Sequence, residues 1–149
     1  MYFRGRTLRA LDAKSRLMLT PDFREILLAE NPTGTFVLTT RDHGLVGYPM
    51  SMWSELESAF ASLKNPSREV RDFMRLFIGG AEEVTPDAQG RILLSRGHIA
   101  YAGIEREVWL VGMVSKFEIW SPERLENLIS ADFSDISERL IECGVDIAL

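Results

Sequence analysis

Apolar and polar residues alternate in short runs, break at turn residues, then switch to helical spacing, and this order occurs twice. In the first half, TLRAL reads as a strand and DAKS as a turn, since Asp and Ser side chains bond nearby backbone groups. RLMLT is a second short strand. Thr20 before Pro21 marks a helix start, a hydroxyl N-cap followed by proline at the first helical position. PDFREILLAE then sets Phe23, Ile26 and Leu27 on one face. This helix stops before Asn31-Pro32, because proline disfavours helical backbone in the residue ahead of it. TFVLTTR and LVGYP follow as strand-like runs around the turn DHG.

The second half repeats the order: AEEVT, the turn PDAQG, the strand RILLS, and a short helix RGHIAYA that Gly103 can end. EVWLVGM and KFEIW form another strand pair. YPMSMW and WSPERL close the halves alike, each leading into an amphipathic helix. In the first, Ser54 and Glu57 have capping-box spacing, and Trp53, Leu56, Phe60 and Leu63 form a stripe. In the second, Ser121-Pro122 starts the helix and Leu125, Leu128 and Ile129 are expected to face inward. A further helix, NPSREVRDFMRLFIGG, is capped by Ser67, presents Val70, Phe73, Met74, Phe77 and Ile78, and closes at Gly79-Gly80. A last helix, SDISERLIEC, ends at Gly144. The predicted organisation is a duplicated α+β, β-rich unit: module 1 over 1–64, a connecting helix over 65–80, module 2 over 81–131 and a C-terminal helix over 132–149. Each module alone would be marginal, since so small a domain buries only about 60% of its unfolded surface, so the halves are expected to form one pseudo-two-fold unit.

Composition narrows the classes. At 149 residues, 46% hydrophobic and 26% charged, the chain is ordinary globular protein. No apolar run approaches the roughly 18 residues of a membrane span, and the basic N-terminus lacks the apolar segment of a secretory signal. Cys143 is the only cysteine, so no intramolecular disulfide can form. A cytoplasmic protein with no membrane partner is the expectation.

The net charge of −5 argues against nucleic acid only on average. Arg4, Arg6, Arg9, Lys14 and Arg16 crowd the first sixteen residues, opposed by Asp12 alone, and the acidic excess lies further on. The local field of the N-terminal edge is positive.

The repeated element is Asp-x-x-x-Arg, in LDAKSRL with Asp12 and Arg16 and in PDAQGRIL with Asp87 and Arg91. A single copy is explained as well by a plain hairpin turn, with Asp accepting backbone N–H bonds and Arg pairing to it. Charge separates the copies: Lys14, Arg9, Arg6 and Arg4 accompany Arg16, whereas Gln89, Glu82 and Glu83 accompany Arg91.

With these two copies, FRG (3–5), FIGGAEE and VWLVGMVSKFEIW make the chain resemble the MraZ family of bacterial transcriptional regulators over almost its whole length. The resemblance implies two tandem AbrB-like modules pairing as a swapped-hairpin, double-psi-like barrel. It also implies a ring-shaped homo-oligomer, an octamer or larger, binding G-rich direct repeats in double-stranded DNA upstream of the division and cell-wall genes and of its own operon. A nucleoid-associated protein without a cofactor follows. Carried onto this chain, Asp12 with Arg16 and Asp87 with Arg91 are the signature pairs, and Arg9 and Arg24 sit where the wider AbrB superfamily has basic residues. With Arg4, Arg6 and Lys14 from the local charge and Ser15 at the turn, the expected DNA-facing set is Arg4, Arg6, Arg9, Lys14, Ser15, Arg16 and Arg24, with Asp12, Asp87, Gln89 and Arg91 as structural or secondary members. Ser15 departs from the family, which usually has glycine there; glycine takes positive φ at no steric cost. Chemically, arginine makes bidentate bonds to guanine O6 and N7, and a two-stranded ribbon fits the major groove, while lysine and the other arginines hold phosphates.

Other chemistry is not supported by the sequence. His43 and His98 have no Cys or carboxylate at ligand spacing, so no metal site is expected. Glu82 and Glu83 are neighbours on a strand and point to opposite faces. No serine sits in a nucleophile elbow, Gly79-Gly80 lacks the lysine of a phosphate loop, and Trp53, Trp109 and Trp120 read as core. Cys143 is expected to be at least half-buried. The alternative function is an antitoxin-like protein of the same superfold, which would need a tail to clasp a toxin where this chain has a capped helix. An enzyme has no constellation to support it.

Overall fold

The computed structural model describes residues 1–149. Its first half runs β1 (Arg6–Ala10), β2 (Arg16–Met18), α1 (Pro21–Glu30), β3 (Phe36–Arg41), β4 (Gly44–Pro49), α2 (Met50–Ala61) and α3 (Arg68–Phe77). The second runs β5 (Glu82–Val84), β6 (Arg91–Leu93), α4 (Arg96–Ala102), β7 (Glu107–Gly112), β8 (Phe117–Trp120), α5 (Pro122–Ile129) and α6 (Ile136–Glu142). The element order of the two halves is identical, so the molecule is an α+β protein of two tandem modules.

The halves are interleaved. One six-stranded sheet has the order β1-β7-β8-β4-β3-β5, and every pair in it is antiparallel. Exchanging each strand for its counterpart in the other half returns the same order reversed. The pseudo-two-fold therefore passes between β4 and β8, where Gly47 faces Phe117. A Cβ on Gly47 would collide with the Phe117 ring, which fixes glycine there. On this axis a second, two-stranded ribbon pairs β2 with β6. Leu17 and Ile92, opposite each other in that ribbon, are wholly buried and tie it into the core with Phe23, Leu27, Phe36, Leu110 and Phe117. Burying each such side chain stabilises by about 1.5–3 kcal/mol.

The sheet does not close into the barrel implied by the resemblance. β2 and β6 satisfy each other rather than bridging the sheet's ends, which leaves β1 and β5 as edges. The β3–β4 hairpin turns through Asp42 and His43 at φ +53° and +68°, the geometry that matches strand twist in a two-residue turn.

Helix starts follow local chemistry. Thr20, Ser67, Ser95 and Ser121 each accept a backbone N–H from three residues on. The expected capping box at Ser54 and Glu57 is absent: Pro49, with φ already near its fixed value, takes the N-cap place of α2 five residues earlier. The Ser51 N–H is met instead by the Glu30 carboxylate at 3.1 Å. Trp53 is buried, and Leu56 and Phe60 pack with Phe73 and Phe77 of α3 over Val37, Val46 and Tyr48. Leu63 lies past the end of α2 and is exposed.

The second half differs here. Leu125 is buried, but Leu128 and Ile129 are 51% and 46% exposed, because α6 does not fold back over them as α3 does over α2. Trp53 and Trp120 are core, while Trp109 is half-buried. Cys143 is exposed, lying at the C-cap of a helix with no buried residue. No helix is long and apolar enough to cross a membrane.

Candidate nucleic-acid interface

Each Asp-x-x-x-Arg element is a closed turn built the same way. The Asp12 N–H donates to the Arg16 carbonyl and the Ser15 N–H to the Asp12 carbonyl; Asp87, Arg91 and Gly90 repeat both bonds. One carboxylate oxygen of Asp12 accepts the N–H groups of Lys14 and Arg16, each at 2.9 Å, and the other accepts Arg16 Nε at 2.7 Å. Asp87 accepts Gln89 N, Arg91 N and Arg91 Nε at 3.0, 2.9 and 2.8 Å. The Arg16 backbone N–H, with its guanidinium and the Lys14 N–H, holds the Asp12 carboxyl below the usual carboxylate range. The N–H and guanidinium of Arg91, with the Gln89 N–H, do the same for Asp87.

Both turns need positive φ at their fourth residue, where Ser15 sits at +61° and Gly90 at +85°. The departure at Ser15 therefore leaves the turn's geometry intact and is met by strain, of order 1–2 kcal/mol for a non-glycine residue in this region.

The turns feed the β2–β6 ribbon, and its register decides what they present. Arg16 stands opposite Leu93 and Met18 opposite Arg91, so these four side chains share the outer face while Leu17 and Ile92 point inward. Both arginines are about 30% exposed and are anchored through Nε to their aspartates. The terminal nitrogens of Arg16 make no further hydrogen bond within the molecule, whereas Arg91 Nη2 meets Gln89 Oε1 at 3.4 Å, so the Arg16 fork keeps both terminal nitrogens for a bidentate acceptor.

The N-terminal basic residues do not form one cluster. On β1, Arg6 and Leu8 lie on the exposed face, and Thr7 and Arg9 on the other. Arg9 lines a cleft of about 520 Å³ with Met18, Arg24 and Gln89, and its Nε is buried without a partner. Arg4 is exposed beyond the bridge between Phe3 and Val114. Arg24, a member of the expected DNA-facing set, donates from Nη2 to the Ala88 carbonyl of the second turn at 2.8 Å. The acidic surroundings expected for Arg91 are also altered, because Glu82 is turned toward the Ser95 hydroxyl at 2.6 Å and His98 Nε2 at 3.1 Å. A basic residue from the first half thus stands at the turn of the second.

Sequence reasoning missed one further residue. Arg124 Nη1 donates to the carbonyls of His43 at 2.8 Å and Tyr101 at 2.7 Å, clamping the β3–β4 turn to the end of α4. Its partners are 81 and 23 residues away, so no local signal marked it. No group of three or more His, Cys, Asp or Glu side chains is gathered to hold a metal ion.

Comparison with known proteins agrees with this architecture. The family profile described as "MraZ protein, putative antitoxin-like" matches twice, over residues 2–76 and 77–143. The proteins named Transcriptional regulator MraZ from Nitratidesulfovibrio vulgaris Hildenborough and Oleidesulfovibrio alaskensis are 53% and 52% identical, over 98% and 100% of both chains respectively. The protein of the same name from Clostridium acetobutylicum is 37% identical over 96% of this chain and 99% of its own. Two tandem copies of the family unit, interleaved strand by strand and similar along their full length to these relatives, establish that the chain belongs to the MraZ family.

Proposed function

We propose that this protein is a sequence-specific DNA-binding transcriptional regulator that reads G-rich direct repeats through the outer face of the β2–β6 ribbon. The observation that carries the reading is the pair of guanidinium groups, each held by its own aspartate, on one face of a two-stranded ribbon narrow enough for a major groove. Arg16 supplies the bidentate donor for guanine. Lys14, exposed at the tip of the first turn, and Arg9, whose side chain lines the cleft beside Met18 and Arg24, supply phosphate contacts. Arg4 and Arg6 add to the positive field. The relatives' name supports regulation; cytoplasmic and nucleoid localisation, and action on the division and cell-wall genes and its own operon, belong to the same reading.

Assembly into a ring of identical subunits completes it. Leu128 and Ile129 on α5, Phe133 in the loop that follows and Ile141 on α6 leave apolar side chains in solvent along the C-terminal segment, the kind of surface that marks an interface. Closed symmetry is the usual outcome for homo-oligomers. Several ribbons on one assembly would bind several repeats together, with avidity set by effective concentration. Titration of duplexes carrying one, two or three G-rich repeats, against scrambled duplexes, tests the reading. Strong preference for multiple repeats is expected, and equal affinity for all duplexes overturns it.

A further inference from the structure

The two turns are alike in their internal bonds and in one backbone bond from outside, Leu94 N–H to the Ser15 carbonyl and Leu19 N–H to the Gly90 carbonyl, each at 3.0 Å. They differ in the side chain that braces them. Arg24 lies on α1, four residues past the N-cap Thr20. Its Nη2 bonds the Ala88 carbonyl across 64 residues of sequence, and its side chain crosses Gly90 so closely that a Cβ there would lie 3.0 Å from Arg24 Cδ. Gly90 is buried under this stem, whereas Ser15 is half-buried. The counterpart of Arg24, four residues past the N-cap Ser95 on α4, is Ile99, which packs into the core and has no donor to offer. The Ala13 carbonyl at the first turn accordingly receives no side-chain bond of this kind. A strut thus runs from the first half to the second turn, and none runs back.

We infer that Arg24 is a positioning residue that presets the second turn, leaving the first free to adjust as it meets its target. This rests on the reading that the ribbon and its turns face DNA. A guanidinium whose Nη2 is committed to a backbone carbonyl, and whose stem covers a buried glycine, is placed to fix a loop. Fixing Ala88 and Gly90 fixes the strand that starts at Arg91, and with it the angle of the Arg91 guanidinium on the ribbon's outer face. Pre-organisation of this kind raises affinity by removing the ordering cost at the moment of binding, and it favours the duplex whose bases the preset Arg91 meets over one that it touches only at phosphates. The repeat has in this way diverged into one preset and one adaptable turn, with no change in the Asp-x-x-x-Arg framework.

The test uses the full-length protein and the substitution Arg24→Met, which keeps an apolar stem over Gly90 and removes the guanidinium. Amide hydrogen exchange is followed at Gly90 and Arg91, and at Ser15 and Arg16. Loss of one backbone-directed hydrogen bond is expected to speed exchange in the second turn by about tenfold, with the first turn unchanged. In parallel, affinity for a G-rich direct-repeat duplex and for a scrambled duplex is measured across a range of salt. The preference is expected to fall about tenfold while the salt slope stays constant, since no phosphate contact is lost. Unchanged exchange at Gly90 and Arg91 overturns the strut. So does a salt slope reduced by about 0.9 per phosphate with exchange intact, because that marks Arg24 as a direct phosphate ligand. If the unsubstituted protein prefers neither duplex, the DNA reading fails, and the exchange measurement alone still decides the role of Arg24.

Discussion

Ser15 and Gly90 hold the same place in the two turns, and both adopt left-handed backbone, at φ +61° and +85°. Serine carries a Cβ into a region where only glycine is at ease. Ser15→Gly is therefore expected to stabilise the fold by about 0.5–1 kcal/mol, the strain relieved being offset in part by the freer unfolded chain. Urea denaturation should show a higher midpoint at unchanged slope. The reverse change, Gly90→Ser, should cost more than Ser15→Gly gains, because its Cβ also presses on the Arg24 stem.

Leu17 and Ile92 meet at the centre of the ribbon, wholly buried. Truncating either to alanine should cost about 2–5 kcal/mol, and the double substitution should cost less than the sum because the two would share one cavity. A double-mutant cycle by guanidinium unfolding measures the coupling. Strict additivity would mean that the two side chains do not depend on each other.

Arg16→Ala should weaken binding to a G-rich repeat by about 1–3 kcal/mol per engaged turn and flatten the preference over scrambled DNA. Lys14→Ala should weaken all sequences alike and lower the salt slope by about one phosphate. Arg91→Ala, which removes the partner of Asp87 at a turn already braced by Arg24, is expected to reduce sequence preference with no change in slope. Filter binding or anisotropy at several salt concentrations separates the three outcomes.

Acid should loosen both turns together. The carboxyls of Asp12 and Asp87 are held below their ordinary values, chiefly by the backbone N–H groups of Arg16 and Arg91. Groups with depressed folded-state values contribute stability that is fully present above the unfolded carboxylate value, near pH ~4, and lost as pH falls through the folded values. The melting temperature should therefore drop below about pH 4. Asp12→Asn with Asp87→Asn should narrow the difference between melting at pH ~7 and pH ~3, since these side chains no longer titrate. An unchanged difference would place the acid sensitivity elsewhere.

Features set by neighbours in sequence were legible before any coordinates. Thr20, Ser67, Ser95 and Ser121 cap their helices because a hydroxyl needs only the N–H three residues on. The paired aspartates bond within their own turns for the same reason. What escaped the sequence depends on residues brought together by the fold. Ser54 had the right spacing for a cap, yet Pro49 set the helix start and Glu30, 21 residues before Ser51, met the free N–H. Arg24 was legible as a basic residue of the DNA-facing set, but not its bond to Ala88, 64 residues further on. Strand alternation splits Arg6 from Arg9, which a count of charges cannot reveal. At Leu128 and Ile129, periodicity marked an apolar face without saying what would cover it.

The interleaved strand order also bears on how the chain is made. β1 is hydrogen-bonded only to β7, with Arg6 opposite Val111 and Ala10 opposite Glu107. During synthesis the first half leaves the ribosome with β1 complete and its pairing strand about a hundred residues behind. Contacts of such long range form slowly, so a nascent edge strand stays open to other chains for most of translation. Arg6 and Arg9, one on each face of that strand, then act as charged guards against edge-to-edge aggregation before any DNA is met.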